Sequence, residues 1–384
     1  MLTLNFSRER VAVSLLFLIN GFMLGSWAPK IPGFAEKLEL SEAQLGLMIL
    51  VFGIGSIVFM PIAGAQIAKF GSNRVSLFSC ALFLPTLLLL TLAPTVALAV
   101  SAIFLFGGLM GAMDIAMNAN AVETERHMRS AITSSCHAFW SVGGLIGASI
   151  GGPLIVTYGP LAQSLVVTVL GVAMLVYAWP RLFHDRPHAQ EGQPKAGLPK
   201  SALPWLLGFV ALFSMIPEGS VLDWGALYMR NELGADIALS GYAYAAFSMT
   251  MSIMRFAGDG VRNRLGAVKT MQICAVIAIA GLIMVGFAPN AAIAIIGFAV
   301  MGVGISNLVP IAFSAAGNLP GMAAGVGISV VSTMGYSGIL IAPSLIGFVA
   351  EHTSLALVFK ALPVLIIVVL LLSKLVRHAD QNHS

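Results

Sequence analysis

Between Arg8 and Arg377 the chain is a succession of apolar runs, most of them about 20 residues long, separated by short polar turns. No water reaches the hydrocarbon core of a bilayer. A segment that crosses it must satisfy its own backbone groups, and runs of this length do so as α-helices. The runs do not alternate apolar with polar residues, which excludes a closed β-barrel. Charged residues are only 9% of the 384 positions and apolar residues 58%, whereas a soluble domain carries about 25% charge. The pattern predicts an all-α membrane protein of twelve spans, near 10–31, 44–68, 75–93, 96–119, 131–155, 162–182, 203–229, 238–257, 268–288, 291–316, 322–349 and 354–376.

Lysine and arginine concentrate in cytoplasmic loops. With the N-terminus inside, the outer side receives only Lys30, Lys37, Arg230 and Lys360, and the other 16 of the 20 basic residues fall on the cytoplasmic side. Both termini are therefore expected to be cytoplasmic. The first run passes signal-peptide length without a cleavage site and is expected to remain as a helix. The stretch Phe183–Ser201 is polar, holds three prolines and divides the chain into near-equal halves. Two six-helix bundles are expected, over 1–182 and 203–384, joined by a cytoplasmic linker at 183–202. An offset of 195 residues supports a duplication. It carries Gly71 onto Gly266, Gly46 onto Gly241, and Gly143, Gly147 and Gly152 onto Gly338, Ala342 and Gly347.

An ionisable side chain in a spanning segment costs roughly 2.5–3.5 kcal/mol, so it normally faces a partner or a wet path. Asp114 is the first such residue. Asn118, four residues on, shares its helical face. A carboxylate is costly when dry and cheap when hydrated, so alternating exposure can load and unload a proton there; the bland alternative is a hydrogen bond that only fastens two helices. Glu218 is the second acid. It stands between Pro217 and Gly219, where a missing N–H and a flexible residue predict a bend. Broken helices border substrate cavities in transporters. Asn20 and Trp27, seven residues apart on one face, suit a polyol, whose C–H faces stack on the ring while its hydroxyls meet the amide. Trp27 is equally an interfacial anchor. His137, with Trp140 beside it, is a candidate relay or a neutral strut. Asn307 is the deepest polar residue of the tenth run. These residues form the expected substrate site. The glycines at 143, 147 and 151 form a stripe that allows close helix approach.

Several classes are excluded. No basic stripe stands beside aromatic platforms for nucleic acid. No GxxxxGK[ST] loop is present for ATP, and no HExxH or paired-cysteine site for a metal. No cofactor is expected, and no catalytic residue is assigned.

The turn from Gly64 to Arg74, GAQIAKFGSNR, resembles the GxxxDRxGRR loop of the major facilitator superfamily, with Ala68 where the acid usually stands. Arg255-Phe-Ala-Gly-Asp259 and the following Asn263-Arg264-Leu-Gly266 resemble its second-half counterpart, where Asp259 supplies an acid. The segments GAMDIAMNANAVETE, SSCHAFWSVGGLIGA and EGSVLDWGALYMR resemble the YbjJ/MosC-like group, distantly similar to fucose permease. The resemblance implies two pseudo-symmetric bundles in a bacterial inner membrane and a chain acting as a monomer. It also implies a proton-coupling acid in the fourth helix, which is Asp114; Glu218, from its place in the bent seventh run, is the second candidate for that role. Lys69, Arg74, Arg255, Asp259 and Arg264 become a candidate cytoplasmic gate. The expected function is secondary active transport of a small, sugar-like solute, coupled to protons, with Na⁺ the other candidate ion. The alternative is a proton-driven exporter of amphipathic compounds.

Overall fold

The computed structural model describes residues 7–40, 42–185, 199–235, 237–322 and 324–380, and the regular structure in them is helical throughout. In chain order the helices are α1 (Arg8–Trp27), α2 (Ile31–Lys37), α3 (Glu42–Phe70), α4 (Ser72–Phe83), α5 (Thr86–Leu92), α6 (Val96–Met128), α7 (Thr133–Ala178) and α8 (Leu203–Asn231). They continue as α9 (Ile237–Leu265), α10 (Ala267–Gly286), α11 (Ala291–Ile305), α12 (Leu308–Gly317), α13 (Ala324–His352), α14 (Leu355–Ala361) and α15 (Pro363–Leu372). Short 3-10 segments occupy Ala28–Lys30 and Ser373–Ala379. Of the expected linker, only 183–185 and 199–202 fall among the described residues.

Ten stretches of the described residues are long and apolar enough to cross a membrane. Three of them are helix pairs interrupted at or near a proline. Pro85 stands between α4 and α5, Pro363 opens α15, and Pro310 follows the break between α11 and α12. Each lacks the N–H that would close the preceding turn. Pro310 thereby leaves the carbonyl of Ser306 without its helical donor.

Helix α7 has 46 residues, which would make a straight rod about 69 Å long, more than twice the roughly 30 Å hydrocarbon thickness. It is not straight. Gly159 adopts φ 85°, ψ 164° directly before Pro160. Beyond it, Gln163 comes within 3.5 Å of where a Cβ on Gly151 would lie. The chain has therefore turned back on itself at a single residue. Helix α9 has 29 residues but carries Arg255, Asp259, Arg262 and Arg264, and is not among the ten stretches.

The chain divides into two compact units. The first is Met1–Met128 with Cys136–Leu198 and Met322–Ser329, and the second is Arg129–Ser135 with Pro199–Gly321 and Val330–Ser384.

In the first unit α1 crosses α7 backbone to backbone. A Cβ on Gly143 would run into the carbonyl oxygen of Leu18, and one on Gly147 would come within 2.5 Å of that of Phe22. The glycine stripe is thus a contact surface, held by the close packing that small residues permit. At its outer end a buried ammonium ties the same elements. Lys30 Nζ donates to the carbonyl of Pro160 at 2.7 Å, to Gln163 Oε1 at 3.0 Å and to Ser164 Oγ at 2.7 Å. Gln163 Nε2 in turn donates to the carbonyl of Ser26 at 3.0 Å.

Gly143→Val should lower the apparent melting temperature of the purified protein by several degrees, because overpacking of this kind costs about 1–3 kcal/mol. Gly152→Ala should leave it unchanged, since nothing lies within 4 Å of that Cβ position. Equal tolerance of both substitutions would remove the crossing as a stabilising contact.

Burial lowers the Lys30 ammonium from 10.5 to about 8. The unfolded chain therefore holds this proton more tightly than the folded one. The resulting cost is fully present below pH 8 and is relieved as pH rises from about 8 to about 10.4. Wild type should gain apparent melting temperature relative to Lys30→Met across that window, read by thermal scans from pH 7.5 to 10.5.

Candidate functional site

In the first unit the sequence spacing places Asp114 and Asn118 one turn apart on α6, both buried. Asn118 Nδ2 donates to the backbone carbonyl of Asp114 at 2.9 Å and to its carboxylate Oδ1 at 3.3 Å. The amide is thereby oriented, and its Oδ1 is left as an acceptor. His137 Nε2, one turn into α7, lies 3.1 Å from that oxygen. This arrangement requires the imidazole to carry its proton on Nε2. The second carboxylate oxygen, Asp114 Oδ2, is buried and has no partner among the described residues. The result is a line running carboxyl, amide, imidazole. The Phe17 ring meets the imidazole edge-on at 5.2 Å.

Asn20 joins Trp140 beside this line. Trp140 Nε1 donates to Asn20 Oδ1 at 2.9 Å, and Asn20 Nδ2 donates to the carbonyl of Met110, on α6, at 3.3 Å. Five of the expected residues, Asn20, Asp114, Asn118, His137 and Trp140, thus fall into two linked sets on α1, α6 and α7. Trp27 belongs to neither. Its ring is buried 5.1 Å from Phe34 and 6.1 Å from Phe106, in an aromatic cluster that continues to Phe52 and Phe83.

In the second unit Glu218 and Arg255 meet across α8 and α9, Nη2 to Oε1 at 3.3 Å. Arg255 Nε donates to the carbonyl of Ser306 at 3.3 Å, the one that Pro310 leaves open. Asn307 adjoins the group. Its Nδ2 donates to Ser306 Oγ at 2.9 Å, and its Oδ1 is buried without a partner among the described residues. The amide fills the space that a side chain on Gly258 would occupy. Glu218, Arg255 and Asn307 therefore form one cluster.

Asp259 does something different. Its two carboxylate oxygens accept the N–H groups of Ser134 and Ser135, at 2.9 and 3.0 Å, at the start of α7. One turn further along α9, Asn263 Oδ1 accepts the N–H of Ala131 at 2.9 Å. A helix start exposes unpaired N–H groups and a partial positive charge, and an anion there satisfies both. Lys69, Arg74 and Arg264 are exposed, and no ion pair joins them among the described residues.

Two residues of the same kind escape a sequence reading. Asp185 accepts the N–H groups of Ser72 and Asn73 at 2.6 and 2.9 Å, and Asp380 accepts that of Ala267 at 2.8 and 2.9 Å. Each seals the helix that starts after a left-handed glycine, Gly71 at φ 85° and Gly266 at φ 79°. The signal was present, because the offset of 195 that relates those glycines also relates Asp185 to Asp380.

An all-helical membrane protein that sets a buried carboxyl and amide in line with a half-buried imidazole, and a half-buried acid against a buried guanidinium, is built like a membrane transporter. The chain belongs to the Major Facilitator Superfamily, whose profile matches residues 13–343 and again 207–383. It is 35% identical over 367 residues to an uncharacterized MFS-type transporter of Yersinia pestis, covering 94% of each chain. It is 32% identical over 350 residues to the membrane protein MosC of Rhizobium meliloti, covering 90% of this chain and 84% of that one. Among solved structures it superposes on the transporter FucP in its outward conformation with a TM-score of 0.81 at 16% identity, covering 95% and 97% of the two chains. At that identity the likeness concerns the fold.

Asp259→Ala should lower the stability of the protein by about 0.5–2 kcal/mol, as loss of a helix-start acceptor does. Chemical or thermal denaturation of the purified variant measures it, and an unchanged midpoint would leave the carboxylate without a structural role.

Proposed function

We propose that the chain is a secondary active transporter carrying a small, sugar-like solute across a bacterial inner membrane, driven by protons. The reading counts α7 as two spans and adds α9 to reach twelve, and takes both termini as cytoplasmic from the distribution of basic residues. Transport in this reading is by alternating access, with 1–182 and 203–384 as the two bundles. The observation that carries the reading is the line from the buried Asp114 through the buried Asn118 to the half-buried His137, in which one carboxyl oxygen has no partner among the described residues. A carboxyl so placed holds a proton readily when dry and releases it when water arrives. The neutral amide can bond either form of the carboxyl. FucP, which shares the fold, is described as a fucose:proton symporter, and the amides Asn20, Asn118 and Asn307 give hydroxyl groups suitable partners. Asp259, Lys69, Arg74 and Arg264 serve in this scheme as the cytoplasmic gate, Asp259 by holding the start of α7.

Asp114→Asn keeps the shape of the protonated acid but cannot cycle. In proteoliposomes the variant should exchange substrate by counterflow at near wild-type rate, while accumulation driven by an imposed pH gradient falls to about the equilibrium ratio. Retained accumulation would make Asp114 a structural residue and leave Glu218 as the coupling acid.

A further inference from the structure

In the first unit the start of α4 and the end of α7 meet, and together they carry an exposed surface of rings and guanidiniums. The candidate spans run Ser72–Leu92 and Thr133–Ala178, so Arg74 sits in the first turn of one and Arg181 just beyond the end of the other. The two ends are fastened to each other. Asn73 Nδ2 donates to the carbonyls of Leu182 and Phe183 at 3.1 and 3.2 Å, and Asp185 accepts the N–H groups of Ser72 and Asn73. Arg74 and Arg181, each next in sequence to these bonds, are thereby held at the same level of the unit. Phe78 stands one turn along α4 on the face of Arg74. Its ring meets that of Trp179 edge-on at 6.0 Å, and the two residues are 60% and 42% exposed. The Arg181 guanidinium lies 4.1 Å over the Tyr177 ring, and its Nη1 donates to the Tyr177 carbonyl at 2.6 Å. Neither its Nε and Nη2 nor the Arg74 guanidinium has a hydrogen-bond partner among the described residues. Asp185, the acid that joins the two ends, has both oxygens taken up by N–H groups, and Glu123 of α6 is paired with Arg126.

We propose that this surface holds an anionic phospholipid, its phosphate against the guanidiniums of Arg74 and Arg181 and its acyl chains along Phe78 and Trp179. A guanidinium fork matches two phosphate oxygens. Tryptophan and tyrosine settle where acyl chains give way to headgroups, and basic residues at that level attract anionic lipids. A lipid fits better than a free phosphate, because the rings extend the surface from the charges along the span. The bonds between the two helix ends preform the site. The inference needs the membrane, not the cargo or its coupling. A phosphate takes one edge of Arg74 and leaves the other N–H groups to the gate. The offset of 195 supplies a comparison within the chain. It carries Arg74, Phe78, Tyr177, Trp179 and Arg181 onto Lys269, Ile273, Leu372, Lys374 and Val376. The second unit has two ammoniums and no ring at the corresponding places, which makes it the weaker site.

The test uses the purified full chain in detergent, stripped of lipid and titrated with dioleoyl-phosphatidylglycerol or dioleoyl-phosphatidylcholine, with bound lipid read by native mass spectrometry. The first phosphatidylglycerol should bind about tenfold or more tighter than the first phosphatidylcholine, as two basic contacts at a headgroup provide. Arg74→Gln combined with Arg181→Gln should bring the two lipids to equal affinity, while Lys269→Gln combined with Lys374→Gln should keep the preference. Trp179→Ala should weaken both lipids together, since the ring serves the chains and not the charge. Inorganic phosphate should leave the bound lipid in place. The inference is overturned if wild type shows no preference, if the preference survives the double arginine variant, or if the double lysine variant loses it as fully. Displacement by inorganic phosphate also overturns it and reassigns the arginines to a free anion. Should the double arginine variant fail to fold, Arg181→Gln alone, placed beyond the end of α7, decides by the same comparison. Each of these outcomes leaves the transport reading standing.

Discussion

A helix inside a bilayer has nowhere to send an unpaired backbone group, and much of this structure answers that constraint. The answers concentrate where the helical ladder stops. Asp185, Asp380 and Asp259 each bring a carboxylate to a helix start, and Glu232 does the same at the start of α14, accepting the N–H groups of Leu355 and Ala356. None of these acids is near its helix in sequence. Each one therefore closes a long stretch of chain while it satisfies a helix end. The gap that Pro310 makes at Ser306 is filled by Arg255, so one proline both interrupts a helix and positions a guanidinium.

Asp114, which is buried, and Glu218, which is half-buried, face opposite electrostatic situations. Asp114 is bonded to an amide, and adding a proton to it changes the local charge from negative to neutral. Glu218 is bonded to a permanent cation, the guanidinium of Arg255, at 3.3 Å. The first arrangement suits a group that must tolerate both states without help.

The membrane class, the apolar spans and the loop around Gly71 were legible because they rest on run length and local composition. Asp114 and Asn118 were legible as a pair because a four-residue spacing fixes their relation on any helix. Pairings between helices were not. Arg255 reads from its loop neighbours as part of a gate, yet it pairs with Glu218, because the side of α9 on which it lies depends on packing that no local pattern encodes. Trp27 reads as a stacking platform from its spacing to Asn20, but its ring lies between Phe34, seven residues on in α2, and Phe106 of α6, far away in sequence. Asp185 looks like the start of a polar linker, and only the repeat ties it to Asp380.

The single-residue turn at Gly159 has a mechanical meaning. Two helices joined by a flexible loop can slide or tilt separately, since the loop takes up the difference. Here the corner has no slack. Pro160 follows the glycine at once, its carbonyl is clamped by Lys30, and Gln163 is bonded to the end of α1. A rotation of either arm of α7 is delivered to the other arm and to α1 as torque, so these three rods turn as a single stiff frame.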